Sequence, residues 1–427
     1  MELKRVCDTI AYWENTGTGE IRQTAQAEVI VPDTHPDVAQ LSQSSAIILI
    51  EAKEALSGRA EIEGRVRVEI LFVGTGEEPI RLETFLPFTA VLEDERINED
   101  DMVIVSASTD KLDVRTINSR KLFVSIEAVL NVSTYHETTK EICKDIEEAP
   151  AYGIQRLHET NKVEMIDAIR EKTFVVADRF EIERANSGAE EILRTQVSLS
   201  EQDHKLVGRK MILKGVLSIE CLYKSFEGQT ENASFELPFS QIMETDGNED
   251  AKSNLNFFLR SFSFQPEQES YYEGRTLALK AEITVQAVCS SPVEIDRLED
   301  VYSILYPMQA EYDNLVFGQT QIHSLRFASL NEAERKDKSK QPALVLRMTD
   351  SGEALWDLAH QYDTTVEAIA LANSLPGVKT LKGGMLLIPV MGEEELMEDE
   401  IYGNIARRTG GNIYVGVVGP VRTGKST

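Results

Sequence analysis

Several things are scarce in this chain, and each shortage excludes a class of function. Four cysteines (Cys7, Cys143, Cys221 and Cys289) are spread over 427 residues with no CxxC pair. They suit buried, inert thiols in a reducing compartment better than a disulfide framework or a zinc site. His35, His136, His158, His204 and His323 stand apart, none at metal-ligand spacing from another histidine or a cysteine. No stretch approaches the roughly 18 apolar residues of a membrane span. The first twenty residues lack the apolar core of a secretory signal, being interrupted by Asp8, Glu14 and two glycines. Cations are short too: 44 Lys+Arg against 72 Asp+Glu leave a formal charge of −28. So acidic a surface repels phosphate backbones and anionic headgroups, so no nucleic-acid partner and no membrane insertion are expected. Protein or neutral-glycan partners fit better.

What the chain does have is self-similarity. Leu56-Ser57-Gly58-Arg59 returns as Leu206-Val207-Gly208-Arg209. The run Glu63–Phe72 returns as Lys214–Tyr223, Phe85-Leu86-Pro87-Phe88 as Glu236-Leu237-Pro238-Phe239, and Ser119–Val132 as Gly274–Ala287. The matches keep their order. Within each copy the period is 2: Ile62, Val66, Val68, Ile70 and Phe72 alternate with charged residues, as in a half-buried antiparallel strand. The expectation is a multidomain, mainly β protein. It begins with two antiparallel β-sandwich-like repeats, at 25–137 and 173–292, joined by a connector at 138–172 with a short helix over Val163–Arg170. The shared pairs Arg59/Arg209 and Arg120/Arg275 are read as braces on backbone carbonyls. No nucleophile–base constellation is visible, so no enzyme, no catalytic residue and no cofactor are expected.

Residues 293–330 read as a partial repeat or connector and 331–342 as a charged, solvated linker ending in Pro342. Beyond it the period changes. Leu355, Leu358, Ala359 and Tyr362 fall on one helical face, and Thr364 with Glu367 makes a capping box for a second helix. A strand before and another over Met385–Ile388 complete a βααβ unit at 343–390. An acidic spacer follows at 391–400. Then an apolar run, Asn412–Val418, leads into Gly419-Pro420-Val421-Arg422-Thr423-Gly424-Lys425-Ser426, the GxxxxGK[ST] phosphate loop. Gly419, Gly424, Lys425 and Ser426 would be its nucleotide-binding residues. The chain stops one residue later, so 401–427 reads as the truncated start of an α/β NTPase, which cannot work as it stands.

Three resemblances follow from these residues. Val31-Pro32-Asp33 with Pro36-Asp37, the Glu63-Gly64 strand, Leu86-Pro87-Phe88 and Ile117–Leu122 resemble the β-rich domain found in tandem in clostridial sporulation proteins, although the second copy lacks the Pro-Asp pair. Ser351–Ala359, Thr364–Asn373 and Gly384–Pro389 resemble a LysM domain. That resemblance places a groove at Ser351, Gly352, Glu353 and Ala354 and at Asn373, Leu375, Pro376 and Gly377, for a partner or a glycan. Glu353-Ala354 replaces the family's Asp-Thr, which counts against sugar. Trp356 is read as a core anchor of the small fold. Met397–Thr427, through Ile405–Gly419, resembles the opening of the stage IV sporulation protein A family of ATPases. The combined architecture is similar to that of clostridial spore-coat morphogenetic proteins. It implies a non-enzymatic scaffold of the mother-cell cytoplasm, at the forespore surface, docked through its LysM domain on a stage IV sporulation protein A-like ATPase. The alternatives are a wall protein binding peptidoglycan or GlcNAc glycans, or a fragment of a P-loop ATPase fusion.

Overall fold

The computed structural model describes residues 1–74, 76, 78–147, 152–183, 186–245, 251–267, 274–337, 343–375 and 377–390, and the backbone of 415–418. The phosphate-loop residues Gly419, Gly424, Lys425 and Ser426 lie outside the described residues, as does Pro376. The chain divides into two compact units: residues 11–138 with 164–292, and residues 1–10 with 139–163 and 293–427.

The first unit contains two sets of six strands. One set is β1 (Arg5–Ile30), β2 (Gln40–Leu56), β3 (Arg59–Val73), β4 (Pro79–Glu93), β5 (Met102–Asn118) and β6 (Lys121–Ile146). The other is β7 (Ile154–Glu181), β8 (Ala189–Val207), β9 (Lys210–Ser225), β10 (Thr230–Glu244), β11 (Lys252–Pro266) and β12 (Thr276–Ser303). Strands β2-β3-β4 and β8-β9-β10 form separate three-stranded antiparallel sheets. The remaining six share one sheet in the order β11-β12-β7-β1-β6-β5. Read from its centre outward, that order is the same in both halves, with β1 and β7 antiparallel and Trp13 opposite Ile166. The arrangement differs from two self-contained sandwiches, because each set contributes half of a common sheet. At one point the sheet's ends are tied by a side chain. The Gln286 amide on β12 accepts from the Val105 N–H (2.9 Å) and donates to the Val103 carbonyl (2.9 Å), both on β5.

The alternating residues behave as their period requires. Val66, Val68, Ile70 and Phe72 are buried in one core, and Leu217, Ile219, Cys221 and Tyr223 in the other. Gly64 sits opposite Phe88 and Gly215 opposite Phe239. In each case the ring covers the glycine, so that a Cβ would meet the Phe88 ring at 2.7 Å or the Phe239 ring at 2.5 Å. Arg120 donates to the carbonyls of Val31, Pro32 and His35, and Arg275 to that of Asn186, the bracing role read from sequence.

The helix expected over Val163–Arg170 is absent; these residues are strand, inside β7. Val163, Met165, Ala168 and Ile169 are all buried, a spacing that satisfies neither period cleanly, and pairing in the sheet decides the outcome.

The second unit holds the hairpin β13 (Met308–Phe317) and β14 (Thr320–Leu330), and the βααβ segment: β15 (Leu344–Ala354), α1 (Leu355–Gln361), α2 (Val366–Ala372) and β16 (Thr380–Pro389). Tyr302 and Ile304, from the end of β12, lie in the same core as Val345, Leu358, Ile369 and Ile388. Residues 331–337 are exposed apart from the half-buried Lys336, yet they are fastened to the fold. The Asn331 N–H bonds the Pro307 carbonyl and the Lys336 N–H the Leu305 carbonyl, and the Lys336 ammonium donates to the Ser303 carbonyl and pairs with Asp363. A third strand of the β15-β16 sheet, β17 (Val415–Val418), pairs in parallel with β15.

Candidate docking site

The βααβ segment positions its side chains through two unlike helix starts. Strand β15 runs on through Ala354, which precedes α1 without any side-chain cap. Helix α2 is capped one residue later than the expected Thr364 box: the Thr365 hydroxyl accepts from the Ala368 N–H at 3.0 Å. Thr364 is instead fully buried, and its carbonyl accepts from the Tyr302 hydroxyl at 2.7 Å.

Most of the residues expected to line a groove are engaged internally. Ser351 pairs with Lys382 across β15 and β16. Gly352, at φ +98°, takes a backbone conformation that favours glycine. The Glu353 carboxylate pairs with Arg347 at 3.0 Å, and the Arg347 guanidinium lies over the Tyr362 ring. The Asn373 amide donates to the carbonyls of Ile369 (2.8 Å) and Leu387 (2.6 Å) and accepts from the Leu387 N–H (2.8 Å). It therefore fastens the end of α2 to β16. Leu375 packs on the core, and Gly377 turns at φ +73°.

The open space lies beside Trp356. A cavity of about 460 Å³ is lined by Ala354 and Trp356 from the start of α1, Glu367 on α2, Lys379, and His158 with Glu159 of β7. A second depression of about 280 Å³ reaches the far side of Trp356, next to Asp300, Tyr312, His323 and Asp357. The indole packs on the core, where the sequence reading placed it, and its half-exposed remainder borders both hollows. It is half-buried, edge-on to Tyr302 at 4.9 Å, and its Nε1–H donates to Asp300 Oδ2 at 2.7 Å. Asp300 Oδ1 accepts from the Tyr312 hydroxyl at 2.6 Å. Burial, and then the bond to Asp300, pushes the Tyr312 hydroxyl well above the usual phenol range, so it remains a donor. Beneath them the nearly buried Arg297 is held by Glu159 (2.9 Å), Asn161 (2.6 Å), Glu299 and the His323 carbonyl (2.7 Å). The result is an aromatic ledge whose indole N–H and Tyr312 hydroxyl are both held by Asp300. Asp300 and Tyr302, which hold the ledge, were read from sequence only as part of a partial repeat or connector. The run Leu298-Glu299-Asp300-Val301-Tyr302 does not alternate, so no strand pattern singled them out.

Among the described residues, no group of three or more His, Cys, Asp or Glu side chains is placed to hold a metal ion. Cys143, Cys221 and Cys289 are buried thiols and Cys7 is half-buried. Burial raises Cys143 and Cys221 to about 12.

Two family matches and one curated relative bear on this architecture. The "SipL, SPOCS domain" family matches residues 189–267, the span from β8 through β11. The "Stage IV sporulation protein A, ATPase domain" family matches residues 396–427. Stage IV sporulation protein A of Clostridioides difficile (strain 630) is 68% identical over 31 residues, which is 7% of this chain and 6% of that protein. The chain therefore spans only a small part of the length of that relative. No solved structure matches. Both matched stretches are sporulation-related. No helix among the described residues is long and apolar enough to cross a membrane.

Proposed function

We propose that this protein is a non-enzymatic scaffold of spore-coat assembly, whose LysM-like βααβ segment docks on a stage IV sporulation protein A-type ATPase. One observation carries the reading: a single chain joins a stretch matching the SipL, SPOCS domain to a stretch matching that ATPase, on either side of the βααβ segment. Two adjacent tandem β modules, descended from one duplicated ancestor, supply the body. Their shared strand order and their matching glycine–phenylalanine pairs support that descent. The chemistry of the segment supports docking over catalysis. The ledge around Trp356 offers a preorganised aromatic surface at little entropic cost. The groove loops at 351–354 and 373–375 spend their polar groups on the fold itself, which argues against sugar recognition through those atoms. The site of action that follows is the mother-cell side of the forespore surface.

Calorimetric titration of the full chain with stage IV sporulation protein A tests the reading. Saturable binding with a micromolar or tighter dissociation constant is expected. Absence of binding, or comparable binding to chitin oligomers alone, would replace the scaffold with a glycan-binding protein.

A further inference from the structure

The βααβ sheet has two faces of different character. Val345, Leu386 and Ile388 point to the helices and are buried with Leu358 and Ile369. Strand alternation then places Leu344, Leu346 and Met348 of β15 on the opposite face, with their register partners Pro389, Leu387 and Met385 of β16. Every one of these six positions is apolar. Solvent-facing strand positions are usually polar, and an apolar patch kept in water marks a contact surface. Pro389 is buried and Leu344, Leu346 and Leu387 are half-buried, while Met348 is 45% and Met385 69% exposed, so the open part of the face is the methionine pair. Paired methionines, flexible and polarizable, suit a surface that must mould to a partner.

The neighbour of this face points to its occupant. Strand β17 lies along the β15 edge, with Leu344 opposite Val415 and Leu346 opposite Val417, so it continues the same sheet. Those residues belong to the stretch that matches the ATPase domain of stage IV sporulation protein A. Sequence of the partner's type is therefore already seated at the border of the apolar face.

We infer that the outer face of β15 and β16, centred on Met348 and Met385, is the surface that receives the P-loop domain of a stage IV sporulation protein A-type ATPase. The inference rests on the docking reading above and places this contact on the sheet's outer face, distinct from the Trp356 ledge and from the loops at 351–354 and 373–375. A lysine placed there would bring an unpaired charge into the contact and remove apolar area together.

The test titrates stage IV sporulation protein A into the full chain and into Met348→Lys, Met385→Lys and Glu353→Ala variants. Each is first checked for unchanged thermal unfolding, and Met348→Gln and Met385→Gln replace any lysine variant that fails that check. Each methionine substitution should weaken binding at least tenfold, and Glu353→Ala less than threefold. Wild-type binding that survives both methionine substitutions would overturn this inference while leaving the docking reading intact. A wild-type chain that does not bind would end both. Sedimentation of the same variants covers the remaining occupant. A self-associated chain that Met385→Lys dissociates, with ATPase binding unaffected, would show that the face meets a second copy and would equally overturn the assignment.

Discussion

The two six-strand sets of the larger unit keep one packing device and discard another. Both retain a glycine in the central strand beneath a phenylalanine from the next strand, Gly64 with Phe88 and Gly215 with Phe239. They part at the equivalent glutamates five residues on. Glu69 is 1% exposed, whereas Glu220 faces solvent. Glu69 accepts from Arg67 (2.7 Å), from Arg81 (3.0 Å) and from the Thr195 N–H of the second set (2.5 Å), and Arg67 donates onward to the Phe262 carbonyl. At the position of Arg67 the second set has Ser218, which has no buried carboxylate to neutralise. Core-facing positions in a repeat answer to the fold, which is common to both. Outward positions answer to whatever covers them, and at this position only the first set's central strand is covered.

The largest effects should be equal in the two sets. Val68→Asp and Ile219→Asp each place an unpaired charge at a fully buried position, and each should cost more than about 4 kcal/mol in denaturant unfolding. A marked inequality would mean that one set is held up by the other. Next comes the pair that should differ most. Glu69→Ala removes the buried carboxylate that accepts from Arg67, Arg81 and the Thr195 N–H and should cost about 3–5 kcal/mol, against less than about 0.5 kcal/mol for Glu220→Ala. Similar losses would erase the distinction drawn here.

A smaller contrast separates the glycines. A Cβ at Gly64 would lie 2.4 Å from the Leu49 carbonyl oxygen, and one at Gly215 3.0 Å from that of Ser200. Alanine should destabilise at both positions by about 1–3 kcal/mol, more at Gly64, because backbone yields less readily than a ring. The smallest effect concerns the turn after each meander, where Asp94 in the first set matches Thr245 in the second. Hydrogen bonds from Arg96 hold the Asp94 carboxyl at about 2, below its ordinary 3.8. A depressed folded value stabilises above the unfolded value and is lost as pH falls. Wild type should therefore show a slight extra loss of stability between about pH 4 and 2 that Asp94→Asn lacks. Carbon-detected NMR titration of Asp94 reads the same midpoint directly.

Much of this was legible in the sequence because period-2 strands with repeated landmarks leave little choice of register. Ile62–Phe72 and Leu217–Tyr223 could hardly pack otherwise. Partnership across sets was not legible: nothing in Gln286 or Glu69 announces that each is buried against the other copy, since alternation specifies a face and not its neighbour. The Val163–Ile169 strand failed for a related reason, its buried residues fitting helix and sheet alike until pairing decided. In the smaller unit the βααβ order could be read from helix periodicity, yet Asn373 looked like a loop residue free for a ligand. Two of its three backbone bonds depend on β16, fourteen residues away. The Trp356 ledge was missed as a ledge because Asp300, which fixes the indole, is 56 residues upstream.

The placement of Tyr302 and Ile304 inside the βααβ core has a consequence for how this protein could be cut or recombined. The small fold is discontinuous along the chain: two of its core side chains precede the β13–β14 hairpin and the rest follow it. Topologically the hairpin is an insertion within the small fold and not a spacer ahead of it. Excising 343–390 would remove the floor from beneath Trp356 and His360, the latter stacked on Tyr302 at 4.5 Å. Shortening the hairpin, by contrast, would leave both ends of the fold in place. Inheritance of this segment as a portable cassette would therefore have to carry the last residues of β12 with it.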